Sequence, residues 1–345
     1  MRLTVKLKCN YCLLSGIASP RQSVGNHVLP TPTKAVSMLI NHLRLTSEAH
    51  EGLTSLSGVW SELILQDIAS TVHPSNKQTI CCSGTARHPE CYEIRDEQGK
   101  CIEYWRSVPS LTVHKCNFET REQMNGASAY LDGSHIYGPT DEQLHRLRTY
   151  SEGKVDVSNC EMCNNTEDKA LGMIYAALLN EHNRIANELA KANEHWDDTK
   201  LFLEARRVVV AQIQHVTLNE YMPSILGEGA RTDPELMPVA SGFYNGYSSS
   251  NVGGTYDAVA LAALRALTSL RKHAMDDSTC LEDHVIASAN RVSLDLSQSA
   301  FESRVDVNAR FVHVGRDHGI PGYVKFVEDC SGHNVTVGLY QFNYT

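Results

Sequence analysis

The sequence predicts a mainly α-helical fold broken by irregular, cysteine-bearing segments. Three observations carry this. Residues 166–227 read as two long amphipathic helices, residues 52–72 read as a third, and residues 73–120 are cysteine-rich without periodicity. In the first of the long pair, Leu171, Ile174, Tyr175, Leu178, Leu179, His182, Ile185, Ala186 and Leu189 recur at spacings of three and four. Such spacing puts one apolar stripe along about five turns of helix. Thr166, Glu167 and Asp168 suit its start, where oxygens and negative charge meet unpaired N–H groups. Asn193 to Asp198 break the pattern. The second helix then carries Phe202, Ala205, Val209, Ile213 and Val216 on one face, with Pro223 and Gly227 marking its end.

Around this pair the chain reads in order. Residues 1–28 form a poorly defined N-terminal segment, and Pro30 and Pro32 mark an extended lead-in to the domain. In the helix at 52–72, Leu56, Val59, Trp60, Leu63, Ile64 and Ile68 fall mostly on one side. A Gly/Ser-rich loop at 238–256 leads to a helix near 256–274, with Val259, Ala263, Ala266, Leu267 and Leu270 as its stripe. Residues 276–312 give no clear pattern. With no repeat and no dividing linker, residues 29–345 read as one domain.

Composition narrows the function. A formal charge of −9 without a Lys/Arg cluster makes nucleic acid and anionic membrane poor partners. No apolar run approaches the roughly 18 residues that span a bilayer. Seven of the 11 cysteines fall within residues 81–163, which suggests disulfides formed in an oxidising compartment. Cys9-x-x-Cys12 and Cys160-x-x-Cys163 also have the spacing of zinc ligands, a weaker reading because the two pairs lie far apart with no knuckle between them. Sequons at Asn164, Asn334 and Asn343 fit secretion, although the first 22 residues make a poor signal peptide, their apolar core being short and interrupted.

Three stretches carry a resemblance. They are REQMNGASAYLDGSHIYG at 121–138, LLNEHNRIANELAKANEHWDDTKLFLEARRVVVAQIQHVTLNEYMPSILG at 178–227, and GRDHGIPGY at 315–323. Together, in this order, they are similar to the animal haem peroxidase family over roughly residues 29–330. The resemblance implies that family's helical domain, secretion, and disulfides pairing Cys81 with Cys91 and Cys82 with Cys101. The family extends well beyond GRDHGIPGY, whereas this chain ends 22 residues after Tyr323, so the expectation is a domain lacking its C-terminal part.

The resemblance also implies a calcium site. Ser128-Ala129-Tyr130-Leu131-Asp132-Gly133-Ser134 alternates oxygen-bearing with small or apolar residues. By itself the stretch reads as a polar turn. In the family the matching loop binds Ca²⁺ through the positions held here by Ser128, Tyr130 (its carbonyl), Asp132 and Ser134, completed by the position of Asp67. A hard cation wants such oxygens, and all five positions supply them.

At the haem site the same alignment finds losses. A haem b peroxidase needs an axial ligand, a distal base and a nearby cation. The family's distal run Trp-Gly-Gln-x-x-Asp-His-Asp reads Trp60-Ser61-Glu62-Leu63-Ile64-Leu65-Gln66-Asp67, so Gln66 replaces the distal histidine and Leu65 an ester-forming aspartate. The distal arginine position holds Asn164. The second ester-forming position holds Glu167, which reads equally as a helix-start carboxylate. The proximal Arg-Phe-Gly-His-Ser reads Arg265-Ala266-Leu267-Thr268-Ser269, placing Thr268 at the axial histidine, and Phe311 replaces that histidine's supporting asparagine. His273 lies more than a turn beyond Thr268, and His182 reads as a hydrogen-bonded core histidine rather than a ligand. His318 is implied to be structural.

The resulting expectation is a secreted member of the family that keeps scaffold and calcium, has lost its catalytic centre, and acts by binding a matrix or cell-surface protein. The alternative is an active peroxidase, oxidising small donors with H₂O₂ through haem held by an unforeseen ligand.

Overall fold

Pro32 opens the first helix of the computed structural model, which describes residues 28–42, 49–50, 55–74, 81–83, 88–110, 121–165, 169–227, 241–242, 248, 253–268, 292–293 and 305–331. In chain order the helices are α1 (Pro32–His42), α2 (Ser55–Ile68), α3 (Ser134–Tyr137), α4 (Asp141–Leu147), α5 (Glu161–Asn165), α6 (Lys169–Ala192), α7 (Asp198–Val216), α8 (Met222–Leu226), α9 (Leu264–Thr268), α10 (Val305–Asp317) and α11 (Tyr323–Ser331). Four two-residue strands, β1 (Ala49–His50), β2 (Ile94–Arg95), β3 (Cys101–Ile102) and β4 (Val292–Ser293), pair antiparallel as β1–β4 and β2–β3. The mainly helical expectation holds. Among the described residues no helix is long and apolar enough to cross a membrane. The chain forms two compact units: residues 1–3, 46–70 and 125–296, and residues 4–45, 71–124 and 297–345.

The first unit is built on α6 and α7. The predicted stripe of α6 is the buried one, with Leu171, Tyr175, Leu179, His182, Ile185 and Ala186 inside. On α7, Phe202, Ala205, Val209 and Ile213 meet it. Asp197 caps α7, its carboxylate accepting from the Lys200 N–H at 2.7 Å. His182 is the core histidine expected: one ring nitrogen bonds the Gly153 carbonyl at 2.9 Å and the other the Tyr137 hydroxyl at 2.9 Å. Burial lowers its pKa, which keeps the ring neutral. Gly153 is irreplaceable here. It sits at φ +68°, and a Cβ there would come 2.5 Å from the Leu201 Cβ.

Two elements differ from the reading of the sequence. α2 is buried on nearly every side, Val59 to Leu65 all lying inside, because helices close over it from several directions. The chain also widens into π turns at Thr217–Tyr221 and Val259–Ala263. The first carries the chain on into α8, so Pro223 stands in the first turn of α8 instead of ending α7, and Gly227 ends α8. The second rotates the following turn. Ala260 and Leu264 therefore enter the core, while Ala263 and Ala266, expected on the stripe, are exposed.

In the second unit α1 packs against α10, an element for which the pattern at 276–312 gave no signal. Pro32 stands at the first helical position instead of in an extended lead-in, and the Thr31 hydroxyl accepts from the Lys34 N–H at 3.2 Å. The disulfides Cys81–Cys91 and Cys82–Cys101 are formed, as the resemblance implied. Asp317, ending α10, is fully buried. Its carboxylate accepts from Arg106 Nε at 2.6 Å, Ser107 N at 3.0 Å, Ser107 Oγ at 3.2 Å and Tyr104 OH at 3.2 Å. His318 bonds the same Ser107 hydroxyl at 2.7 Å, a structural placement.

His313 makes this unit acid-sensitive. Its ring stacks on Tyr92 at 3.7 Å and its Nε2 bonds the Tyr92 carbonyl at 2.6 Å. Burial, aided by Arg316, lowers its pKa from 6.5 to about 4. Between those values the unfolded chain takes up a proton that the folded chain refuses, so stability falls as pH drops from about 6.5 to 4. The expected loss is about 3 kcal/mol at the bottom of that window, absent at pH 7. Urea midpoints across the range should flatten in a His313→Phe variant, which keeps a stacked ring and cannot titrate.

Candidate functional site

Asp67 stands in the last turn of α2 with its carboxylate turned into the loop at 128–135. Oδ2 accepts from the Asp132 and Gly133 N–H groups at 2.9 Å each, and Oδ1 from His135 N at 3.1 Å and Ser134 Oγ at 3.4 Å. The Asp132 carboxylate lies alongside, accepting from Ser128 Oγ at 2.9 Å and Ser134 N at 3.0 Å. The loop is pinned from below: Leu131 is buried and its carbonyl accepts from Gln214 Nε2 on α7 at 2.8 Å. Gly133, at φ +67°, allows the turn that aims these groups inward. Burial raises the Asp67 pKa and the neighbouring Asp132 charge adds to this, against the N–H groups that lower it. Two adjacent carboxylates, neither ion-paired to a Lys or Arg among the described residues, are a chemistry that a hard cation would relieve. The structure thus brings together Asp67, Ser128, Asp132 and Ser134, with the Tyr130 backbone in the same turn. Among the described residues no group of three His, Cys, Asp or Glu is placed to hold a metal, so any cation site here would rest on mixed carboxylate, hydroxyl and carbonyl oxygens.

The face of α2 that carries Gln66 holds a polar chain. Gln66 Nε2 donates to Glu62 Oε1 at 2.9 Å, and the Tyr175 hydroxyl donates to Gln66 Oε1 at 2.9 Å. Leu65 is buried in the apolar core. α9, the helix bearing Thr268 as its last residue, packs directly on α2, and the Arg265 guanidinium stands 4.0 Å from the Glu62 carboxylate. His135 tilts against Tyr175 with ring centroids 5.6 Å apart, and burial lowers its pKa, partly offset by Glu62. Trp60 Nε1 donates to the Thr217 hydroxyl at 3.0 Å, holding α2 against the π turn. Neither α2 nor α9 carries a histidine. These residues do not fit a haem. Among the described residues, iron would find no histidine ligand on α9 and no histidine base on α2.

Other expected positions fall outside this cluster. Asn164 is exposed on α5, its amide donating to the Ser158 carbonyl at 3.2 Å, consistent with a sequon in solvent. Glu167, His273, Asn334 and Asn343 lie outside the described residues. Phe311 is exposed on α10. The residues whose place in this cluster the sequence did not indicate are Tyr175 and His135, while Arg265, named there only within the proximal run, approaches Glu62. Tyr175 counted there only as part of an apolar stripe, and its hydroxyl at a helix–helix contact was the available signal.

A profile of the animal haem peroxidase family matches residues 7–173 and 163–295. The chain is 25% identical to a peroxidasin homolog of Homo sapiens over 91% of this chain and 27% of that protein. It is 27% identical to a peroxidase-like protein of Margaritifera margaritifera over 93% of this chain and 51% of that one. It thus spans about a quarter to a half of the length of these relatives. Among solved structures, peroxidase A of Dictyostelium discoideum superposes with a TM-score of 0.62 at 20% identity, covering 94% of this chain and 75% of that one, which speaks to the fold alone. The profile covers most of the chain, and the chain belongs to the animal haem peroxidase family.

Proposed function

We propose that this protein is a secreted, calcium-stabilised scaffold that has given up peroxidase chemistry and works by binding an extracellular matrix or cell-surface protein. The observation that carries the reading is the direct packing of α9 on α2, with Gln66 locked between Glu62 and Tyr175. An amide cannot accept and return a proton near neutral pH, and threonine is a poor ligand for haem iron. Calcium, held by Asp67, Ser128, Asp132, Ser134 and the Tyr130 carbonyl, would tie α2 to the loop before α3 and supply rigidity rather than catalysis. Exposed Asn164 in its sequon, and the two disulfides of the second unit, support passage through an oxidising compartment.

The test is the absorption spectrum of the purified protein expressed with added haemin. No Soret band at stoichiometric haem is expected. Thr268→His alone should restore no turnover of H₂O₂ with a small donor, because Gln66 and Asn164 remain and α9 still rests on α2. A strong Soret band in the unmodified chain would overturn the proposal in favour of an active peroxidase with a different ligand.

A further inference from the structure

A third disulfide joins neighbours in the chain. Cys160 and Cys163, counted among the clustered cysteines that suggested disulfides and only weakly as zinc-like spacing, are bonded to each other across a separation of three residues. We propose that Cys160–Cys163 is a redox-active disulfide, opened by thiolate attack on Cys163 Sγ with Cys160 as the leaving group. This inference is independent of the haem and calcium readings.

The two sulfurs are not equivalent. Cys160 is 3% exposed and belongs to the apolar core, whereas Cys163 is only partly buried, at the edge of that core. An incoming thiolate therefore reaches Cys163 first, and access decides which sulfur is attacked. The backbone N–H of Cys163 donates to Cys160 Sγ at 3.0 Å. A donor already aimed at that sulfur stabilises negative charge as it leaves, and a better leaving thiolate departs faster. The residues flanking Cys163 leave a thiol room to approach, since Glu161 and Asn164 are both exposed. The short loop also constrains the unfolded chain least. Cys81–Cys91 and Cys82–Cys101 close separations of 10 and 19 residues, and Cys81 and Cys82 are further held by N–H bonds to Glu103 at 2.9 and 2.8 Å. Those two bonds have the character of structural cross-links. The Cys160–Cys163 bond has the character of a reactive one.

The chemistry balances with a thiol as reductant. A thiolate bonds to Cys163 Sγ while the Cys160–Cys163 bond breaks and its electron pair leaves on Cys160. A second thiolate attacks the outer sulfur of the mixed disulfide, releasing the Cys163 thiolate. Two thiols become one disulfide, and the protein gains two electrons and two protons. Glutathione or a protein dithiol could each supply this.

The test uses the intact, folded chain incubated in graded glutathione, acid-quenched, alkylated and mapped by mass spectrometry. Cys160 and Cys163 should open at a thiol concentration at least about tenfold below that which opens Cys81–Cys91 and Cys82–Cys101, with the circular dichroism unchanged. The trapped adduct should sit on Cys163. A parallel series with a thioredoxin-type dithiol identifies the source, because opening by either reagent at the lower threshold supports the proposal. Opening of all three disulfides together, opening only on unfolding, or an adduct on Cys160 would overturn it. In oxidised glutathione, Cys160→Ala should accumulate glutathione on Cys163 by exchange that releases one glutathione thiolate, and Cys163→Ala should leave the buried Cys160 unmodified. If either variant does not fold, the wild-type map decides alone.

Discussion

Replacing Asp317 by alanine should destabilise the second unit by about 3–5 kcal/mol, the cost of leaving a buried guanidinium without its counter-charge. The carboxylate and the Arg106 side chain are both almost completely shielded, and the oxygens accept four hydrogen bonds from Arg106, Ser107 and Tyr104. Burial works to raise the Asp317 pKa, but the Arg106 bond and the Ser107 N–H outweigh it and hold the acid below its usual range. The group is therefore charged at neutral pH, so Asp317→Asn should cost less than Asp317→Ala but more than an exposed carboxylate would. A double variant, Arg106→Met with Asp317→Leu, should recover much of the loss, because buried pairs replaced together by apolar groups are often nearly neutral. Urea unfolding of the wild type, Arg106→Met, Asp317→Leu and the double variant gives the coupling. A loss under about 1 kcal/mol for Asp317→Ala would show a solvated site and remove the structural account of the Arg-Asp-His-Gly stretch.

Sequence periodicity is legible where it maps onto burial. α6 and α7 each present one face to a partner, so the 3.6-residue pattern of Leu171 to Leu189 and Phe202 to Ile213 names the buried residues directly. α2 defeated that logic. Enclosed on nearly every side, it buries Ser61 and Glu62 beside Leu63 and Ile64, and no stripe describes it. The π turns were invisible because a single widened turn leaves no compositional mark, yet one extra residue per turn moved Ala263 out and Leu264 in. α10 lay in a stretch without a clear apolar stripe. The candidate calcium loop was legible position by position through resemblance, whereas the Glu62–Gln66–Tyr175 chain joins residues 109 apart and required the tertiary structure. The clustered cysteines read chiefly as disulfides and only weakly as zinc ligands, and the bond between Cys160 and Cys163 agrees with the first reading, although C-x-x-C spacing alone does not name that pairing.

Calcium should raise the melting temperature of this protein, and Asp67 and Asp132 should lose that response in different ways. Asp67→Ala removes the acceptor for three backbone N–H groups and the Ser134 hydroxyl, so it should cost about 3 kcal/mol or more even in EDTA. Asp132→Ala removes two local bonds at a half-buried site and should cost about 1 kcal/mol in EDTA, while abolishing the calcium shift equally. A merely capping role for Asp67 predicts the first loss and no calcium shift in any variant. The pH dependence separates the readings further. Because burial raises the Asp67 pKa above 3.8, the folded apo protein holds a proton that the unfolded chain releases, and its stability falls as pH rises through that window. Calcium requires the ionised form, so its stabilisation should be smaller at about pH 4 than at neutral pH, where it reaches about 2.7 kcal/mol at a hundredfold excess over its dissociation constant. Calorimetry in calcium and in EDTA at both pH values is the measurement. An identical melt with and without calcium at neutral pH would reduce the loop to a polar turn held by Asp67. A shift that survives Asp132→Ala would place the cation elsewhere in the chain.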